Sequence, residues 1–82
     1  MTNRQLAHFT PNTLAAMIGD MSQSLAYNFD DGDMSAQEWD IIHAEMKKLY
    51  NVLVTLVGEE VDDMLQAAGA DPEMVYYTEV YA

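Results

Sequence analysis

Four carboxylates fall within five consecutive residues: Glu59, Glu60, Asp62 and Asp63. The chemistry open to such a cluster is electrostatic. On a helix, five residues rise about 7.5 Å, so the acids come roughly every 1.9 Å, close to the ~1.7 Å charge spacing of duplex DNA. Acids in a first helical turn also complement the helix dipole, by about 0.3–1 kcal/mol each. Against that, the like-charged neighbours Glu59 and Asp62, Glu59 and Asp63, and Glu60 and Asp63 each cost about 0.2–0.5 kcal/mol. The two local terms nearly cancel, so helix energetics neither demand nor forbid the cluster.

A second group of acids lies in the run from Asp30 to Glu38, DDGDMSAQE, with Asp30, Asp31 and Asp33 clustered around Gly32. This run resembles the second half of an EF-hand calcium loop leading into its exit helix. Matching Asp31, Gly32 and Glu38 to the fifth, sixth and twelfth loop positions puts Tyr27 and Phe29 where the first and third oxygen ligands belong, and neither residue is a calcium ligand. Shifting the frame by one recovers Asn28 and Asp30 but loses the glycine and puts Trp39 at the bidentate position. An acidic turn before a helix N-terminus accounts for the same residues, so no metal site is assigned, and a degenerate EF-hand-like cation-binding protein is kept as a minor alternative.

His8 and His43 have neither a metal-ligand spacing nor a neighbouring nucleophile, and Asp40 with His43 forms at most a surface pair at helical spacing. Cysteine is absent, which excludes disulfides, thiolate catalysis and cysteine metal sites. No catalytic constellation remains, and the expectation is a protein that is not an enzyme.

Net charge points the same way. Fourteen Asp and Glu face Arg4, Lys47 and Lys48, for a formal charge of −11, and no basic residue follows Lys48. Direct binding of nucleic acid needs Lys and Arg to neutralise phosphates, and anionic membranes need the same sign; both are disfavoured. Basic protein surfaces are favoured. Solubility alone asks for a net charge of magnitude roughly 2–8 in a small domain. The remaining acids include Asp40 and Glu45 early in the central helix and Asp71, Glu73 and Glu79 along the C-terminal end.

The elements that position these charges read as helices in one small domain, residues 1–82. At 50% apolar residues the chain is too hydrophobic for a disordered acidic tail. Leu6 and Phe9 can anchor the N-terminal lead-in. Thr10 suits an N-cap and Pro11 the first helical position, with Phe9 stapling onto Leu14. Leu14, Met17, Ile18, Met21 and Leu25 then form a helical stripe interrupted by Gly19, which costs about 1 kcal/mol against Ala or marks the close approach of a neighbour.

The central helix runs from Ser35 to Val57 and stops at Gly58. Its stripe is Trp39, Ile42, Met46, Leu49, Tyr50, Leu53, Leu56 and Val57. Ser35 and Glu38 have capping-box spacing, and Met34 can staple onto Trp39. The β-branched run NVLVTLV could also be a strand, but the unbroken periodicity and Gly58 favour helix. Val52 and Val54 fall outside the stripe and must face a third element or a second subunit. A third helix, Glu59 to Ala68, turns Val61, Met64, Leu65 and Ala68 inward and ends at Gly69. Asp71 and Pro72 can start another turn, while MVYYTEVYA has strand-like content; an extended tail is the favoured reading.

The expected fold is therefore all-α: a helical hairpin around a long central helix, a short third helix and an extended C-terminal tail. The expected function is that of an acidic interaction protein. Its partner-binding face would comprise Asp30, Asp31, Asp33, Glu38, Glu59, Glu60, Asp62, Asp63, Asp71 and Glu73, presented to the basic surface of a nucleic-acid-handling protein. By size, acidity and lack of catalytic groups the chain resembles the small inhibitors that bacteriophages and mobile elements direct against nucleases, CRISPR complexes, restriction enzymes or topoisomerases. That resemblance is one of class, with no shared motif. The rival expectation is an adaptor subunit docking through the apolar face of the long helix and the tail tyrosines Tyr76, Tyr77 and Tyr81, since tyrosine is enriched in binding hot spots; separately, Val52 and Val54 favour a homodimer over a monomer. No cofactor is expected. The N-terminus lacks the apolar core of a signal peptide and no run reaches the ~20 apolar residues of a membrane span, so the expected location is cytoplasmic.

Overall fold

A computed structural model of the chain describes residues 9–28 and 34–76. Within them lie α1 (Pro11–Tyr27), α2 (Ala36–Val57), a 3-10 turn (Gly58–Glu60), α3 (Val61–Ala67) and the single turn α4 (Pro72–Val75). No strand occurs among the described residues, and the all-α class holds. The acidic turn at 29–33 and the tail at 77–82 lie outside them, as do His8, Asp30, Asp31, Asp33, Tyr77 and Tyr81.

Short-range chemistry starts both long helices. The Thr10 hydroxyl accepts from the Thr13 N–H at 3.2 Å, and Pro11 occupies the first turn. Ser35 does the same for the Glu38 N–H at 3.1 Å, while its hydroxyl donates to the Glu38 carboxylate at 3.3 Å. Each cap satisfies a donor that the helix itself leaves open, an effect of about 1 kcal/mol. Phe9 and Met34, just ahead of the caps, pack against the core as the staples require.

The α1–α2 hairpin supplies most of the core. Leu14, Ile18 and Leu25 of α1 meet Met46, Leu49 and Leu53 of α2, all of them buried. The Trp39 indole N–H donates to the Leu25 carbonyl at 2.9 Å, joining the end of α1 to the start of α2. That carbonyl lies in the last turn of α1, where helices leave acceptors unused.

For Val52 the structure chooses the third element over the second subunit, and other sequence expectations change. Val52 is buried in the core, because α2 is packed by α1 on one side and by α3 and α4 on others, which widens its apolar face beyond one stripe. It needs no second subunit to cover it. Val54 and Leu56, by contrast, are 37% and 44% exposed, so Leu56 leaves the predicted stripe while Val57 still packs against the core. The third helix is also shorter than expected: its first two residues, Glu59 and Glu60, belong with Gly58 to a 3-10 turn, and Ala68 is exposed at its end.

The chain leaves α3 through a Schellman arrangement, in which the Ala70 N–H reaches the Leu65 carbonyl at 3.0 Å and the Gly69 N–H reaches Gln66 at 3.1 Å. Gly69 has φ 78°, the left-handed conformation this motif requires. After it, Asp71 caps α4 by accepting the Glu73 N–H at 2.9 Å. That local cap, with Pro72 behind it, makes residues 72–75 helical where strand-like composition favoured an extended chain. Met74 and Val75 are thereby turned into the core.

This C-terminal end is held by α1. A Cβ on Gly19 would stand 2.9 Å from the Ala68 carbonyl oxygen, so the glycine marks a close backbone approach. One turn later the fully buried Ser22 hydroxyl donates to the Gly19 carbonyl and accepts from the Asp71 N–H, both at 2.8 Å. Gln23 donates to the Gly69 carbonyl. Replacing Gly19 by Ala should lower stability by about 1–3 kcal/mol through overpacking, reversing the ~1 kcal/mol gain that helix propensity alone assigns to the change; chemical denaturation of both proteins checks the sign. Ser22→Ala should cost about 1–3 kcal/mol by leaving the Asp71 N–H without its acceptor, measured the same way.

Candidate functional site

The candidate site is the end of the molecule formed by the 3-10 turn, α3 and α4. Along this segment the apolar residues Val61, Leu65, Met74 and Val75 turn inward, leaving the polar positions between them outside. Glu59, Glu60, Asp62, Asp63 and Glu73 are all exposed. The 3-10 start matters for spacing. A 3-10 turn rises about 2.0 Å per residue against 1.5 Å in an α-helix, so the four acids do not follow the register of one continuous α-helix.

The acids differ in what they already do. Asp71 is spent on capping α4, and Glu38, near the other end of α2, shares the Ser35 cap. Asp62 accepts a hydrogen bond from the Tyr76 hydroxyl. Glu59, Glu60, Asp63 and Glu73 have no side-chain partner among the described residues.

Of the described lysines, Lys47 borders the candidate site and Lys48 does not. Lys47 of α2 donates to the Val75 carbonyl at 2.9 Å, with its ammonium 5.3 Å from the centre of the Tyr50 ring. Lys48 pairs with Glu45 at 3.2 Å on the exposed side of the same helix, an arrangement worth little to stability. Neither forms an ion pair with a described carboxylate of the 3-10 turn or α3.

Tyr76 ties these parts together. Its ring meets Tyr50 edge to face at 5.7 Å, and its hydroxyl reaches back to Asp62 on α3. Desolvation, followed by the Asp62 hydrogen bond and the neighbouring Tyr50, pushes its phenol well above the usual tyrosine range. Beside it lies a groove of about 400 Å³ between α3 and α4, with Leu65, Ala70, Pro72 and Val75 as apolar walls and Asp62, Gln66 and Tyr76 at the polar margin.

The predicted acidic face is thus brought together in part. Glu59, Glu60, Asp62, Asp63, Asp71 and Glu73 share one end of the fold. Glu38 belongs to the opposite end of α2, and Asp30, Asp31 and Asp33 lie outside the described residues. Among the described residues no three acidic or histidine side chains are grouped to hold a metal ion, and His43 stacks on Trp39 at 5.1 Å. No helix there is long and apolar enough to cross a membrane. Sequence reading missed Lys47, whose partner is a backbone carbonyl, and the groove itself. The available signal was the position of Lys47 beside the apolar stripe, where a long aliphatic stem can lie along the core with its charge at the edge.

No protein-family model matches the chain, and no curated protein or solved structure matches it either. The functional reading therefore rests on its own residues.

Tyr76→Phe keeps the ring contact with Tyr50 and removes the bond to Asp62. At this half-exposed position it should cost about 0.5–1 kcal/mol. A phenol whose folded-state pKa lies above its unfolded value contributes stability that is complete below pH 10 and is lost as pH rises beyond it. The wild-type protein should accordingly lose more stability between pH 9 and 11 than Tyr76→Phe, as read from paired denaturation curves.

Proposed function

We propose that the protein is a non-enzymatic acidic interaction module, which presents the carboxylates of the 3-10 turn, α3 and α4 to the basic surface of a nucleic-acid-handling protein and excludes nucleic acid from it. The observation that carries this reading is the exposure of Glu59, Glu60, Asp63 and Glu73 without a cationic partner among the described residues, while Lys47 bonds a backbone carbonyl of α4 and Lys48 pairs with Glu45. Concentrating unpaired charge of one sign raises association rates with an oppositely charged surface. It also offers several anions to groups that otherwise hold phosphates, since those groups bind chiefly by charge.

An adaptor docking through α2 has less to rest on. Val52 is internal, and the exposed Ile41 lies thirteen positions from Val54, about 20 Å along the helix. Such isolated apolar residues are ordinary on a protein surface.

The test is capture of partners from a bacterial lysate at low and moderate salt, followed by competition of each captured protein against duplex DNA. DNA- and RNA-processing proteins should be retained at low salt and released at moderate salt, and the protein should displace DNA from them. Changing Glu59, Glu60 and Glu73 to Gln and Asp63 to Asn should weaken binding about tenfold, four exposed charge pairs each contributing a few tenths of a kcal/mol. Binding that survives both the added salt and these four changes would remove the acidic face as the site.

A further inference from the structure

The groove between α3 and α4 gives the acidic end a more specific capacity than charge alone. Three of its walls, Leu65, Pro72 and Val75, are apolar, yet its margin holds a carboxylate, Asp62, and a half-exposed aromatic ring, Tyr76. The Tyr76 hydroxyl already occupies one acceptor position of Asp62 and so fixes the orientation of the carboxylate; its other lone pairs remain available. Helix register extends the acidic margin. Asp62 and Gln66 share one face of α3, Glu59 precedes Asp62 by three residues, and Glu73 follows Pro72 directly.

A groove with apolar walls, lined also by a carboxylate and an aromatic ring that hydrogen-bond to each other, has the complement of one side chain. Arginine has an apolar stem that can lie along Leu65 and Val75. Its planar guanidinium can donate two parallel hydrogen bonds to a carboxylate, and it stacks on aromatic rings better than lysine does. We propose that this groove is an arginine-selective docking site for a basic segment of the partner protein, with Asp62 as the anchor, Tyr76 as the platform, and Glu59, Asp63 and Glu73 receiving the flanking cations. The proposal rests on the acidic-face reading and assigns it a recognition element: the partner is chosen by arginine and not by positive charge in general.

The experiment titrates the full-length, isotope-labelled protein with three acetylated, amidated peptides of equal length, in which glycine alternates with arginine, lysine or glutamine. The readout is the NMR shifts of the Leu65 and Val75 methyl groups together with the dissociation constants. The arginine peptide should shift both methyl groups and bind about tenfold tighter than the lysine peptide. Asp62→Asn, which keeps an acceptor for Tyr76, should abolish that preference, whereas Glu60→Gln should leave it intact.

Equal binding of the arginine and lysine peptides, or binding that leaves the Leu65 and Val75 methyl groups unmoved, overturns the groove assignment while the general acidic-face reading stands. Failure of both cationic peptides to bind at low salt removes both. Equal binding of the glutamine peptide also overturns the assignment, because the groove would then be recognising the peptide backbone. Unchanged amide spectra outside the groove show that Asp62→Asn is folded.

Discussion

The arrangement of the C-terminal half depends on how closely α1 admits the turn at Ala68–Asp71. Three residues on one face of α1 do this work: Gly19 by having no side chain, Ser22 by taking up the Asp71 N–H, and Gln23 by reaching the Gly69 carbonyl. A seven-residue α3 and a single turn of α4 are far below the roughly 12–15 residues at which isolated helices become even marginal in water. Their conformation is therefore borrowed from tertiary contact. The inward Val61, Leu65, Met74 and Val75 supply the apolar part of it, and the small and polar residues of α1 fix the register. Because the acids are carried on these short elements, the geometry of the charged surface is set by an uncharged contact with another helix.

Features governed by neighbours in sequence were legible before the fold was known. The Thr10 and Ser35 caps, the stops at Gly58 and Gly69, and the two stripes of the hairpin all follow from residues within a turn or two of each other. Gly19 was legible as an alternative between a weak point and a close approach, and the Ala68 carbonyl decides for the latter. What was hidden depends on distant partners. Val52 looked surplus because a single-stripe reading of α2 assumes one packing partner, whereas α1, α3 and α4 all contact that helix. Lys47 and Trp39 bond to backbone carbonyls twenty-eight and fourteen residues away, and a carbonyl leaves no trace in residue identity. The acidic site was legible as a charge run, but not the sorting of its members.

That sorting separates two uses of the same chemical group. Asp71 and Glu38 satisfy local helix ends, and Asp62 holds Tyr76, so each would be present in a protein with no acidic partner surface. Glu59, Glu60, Asp63 and Glu73 hold no side-chain partner among the described residues, and the gain from their first-turn positions is nearly cancelled by local repulsion among them. A surplus of carboxylates beyond structural need, placed together on elements too short to fold alone, is what distinguishes this end of the molecule from a generally acidic surface.

Trp39 is the sole tryptophan in the chain. Its indole is buried, donates to the Leu25 carbonyl and stacks on His43, all within the hairpin and away from α3 and α4. Its emission consequently reports on closure of the hairpin. Detachment of α4, with release of the Lys47–Val75 and Tyr76–Asp62 bonds, would leave that signal largely dark to the event, while tyrosine absorption from Tyr50 and Tyr76 would register it. The molecule thus carries two spectroscopically separate reporters, one for the scaffold and one for the charged end.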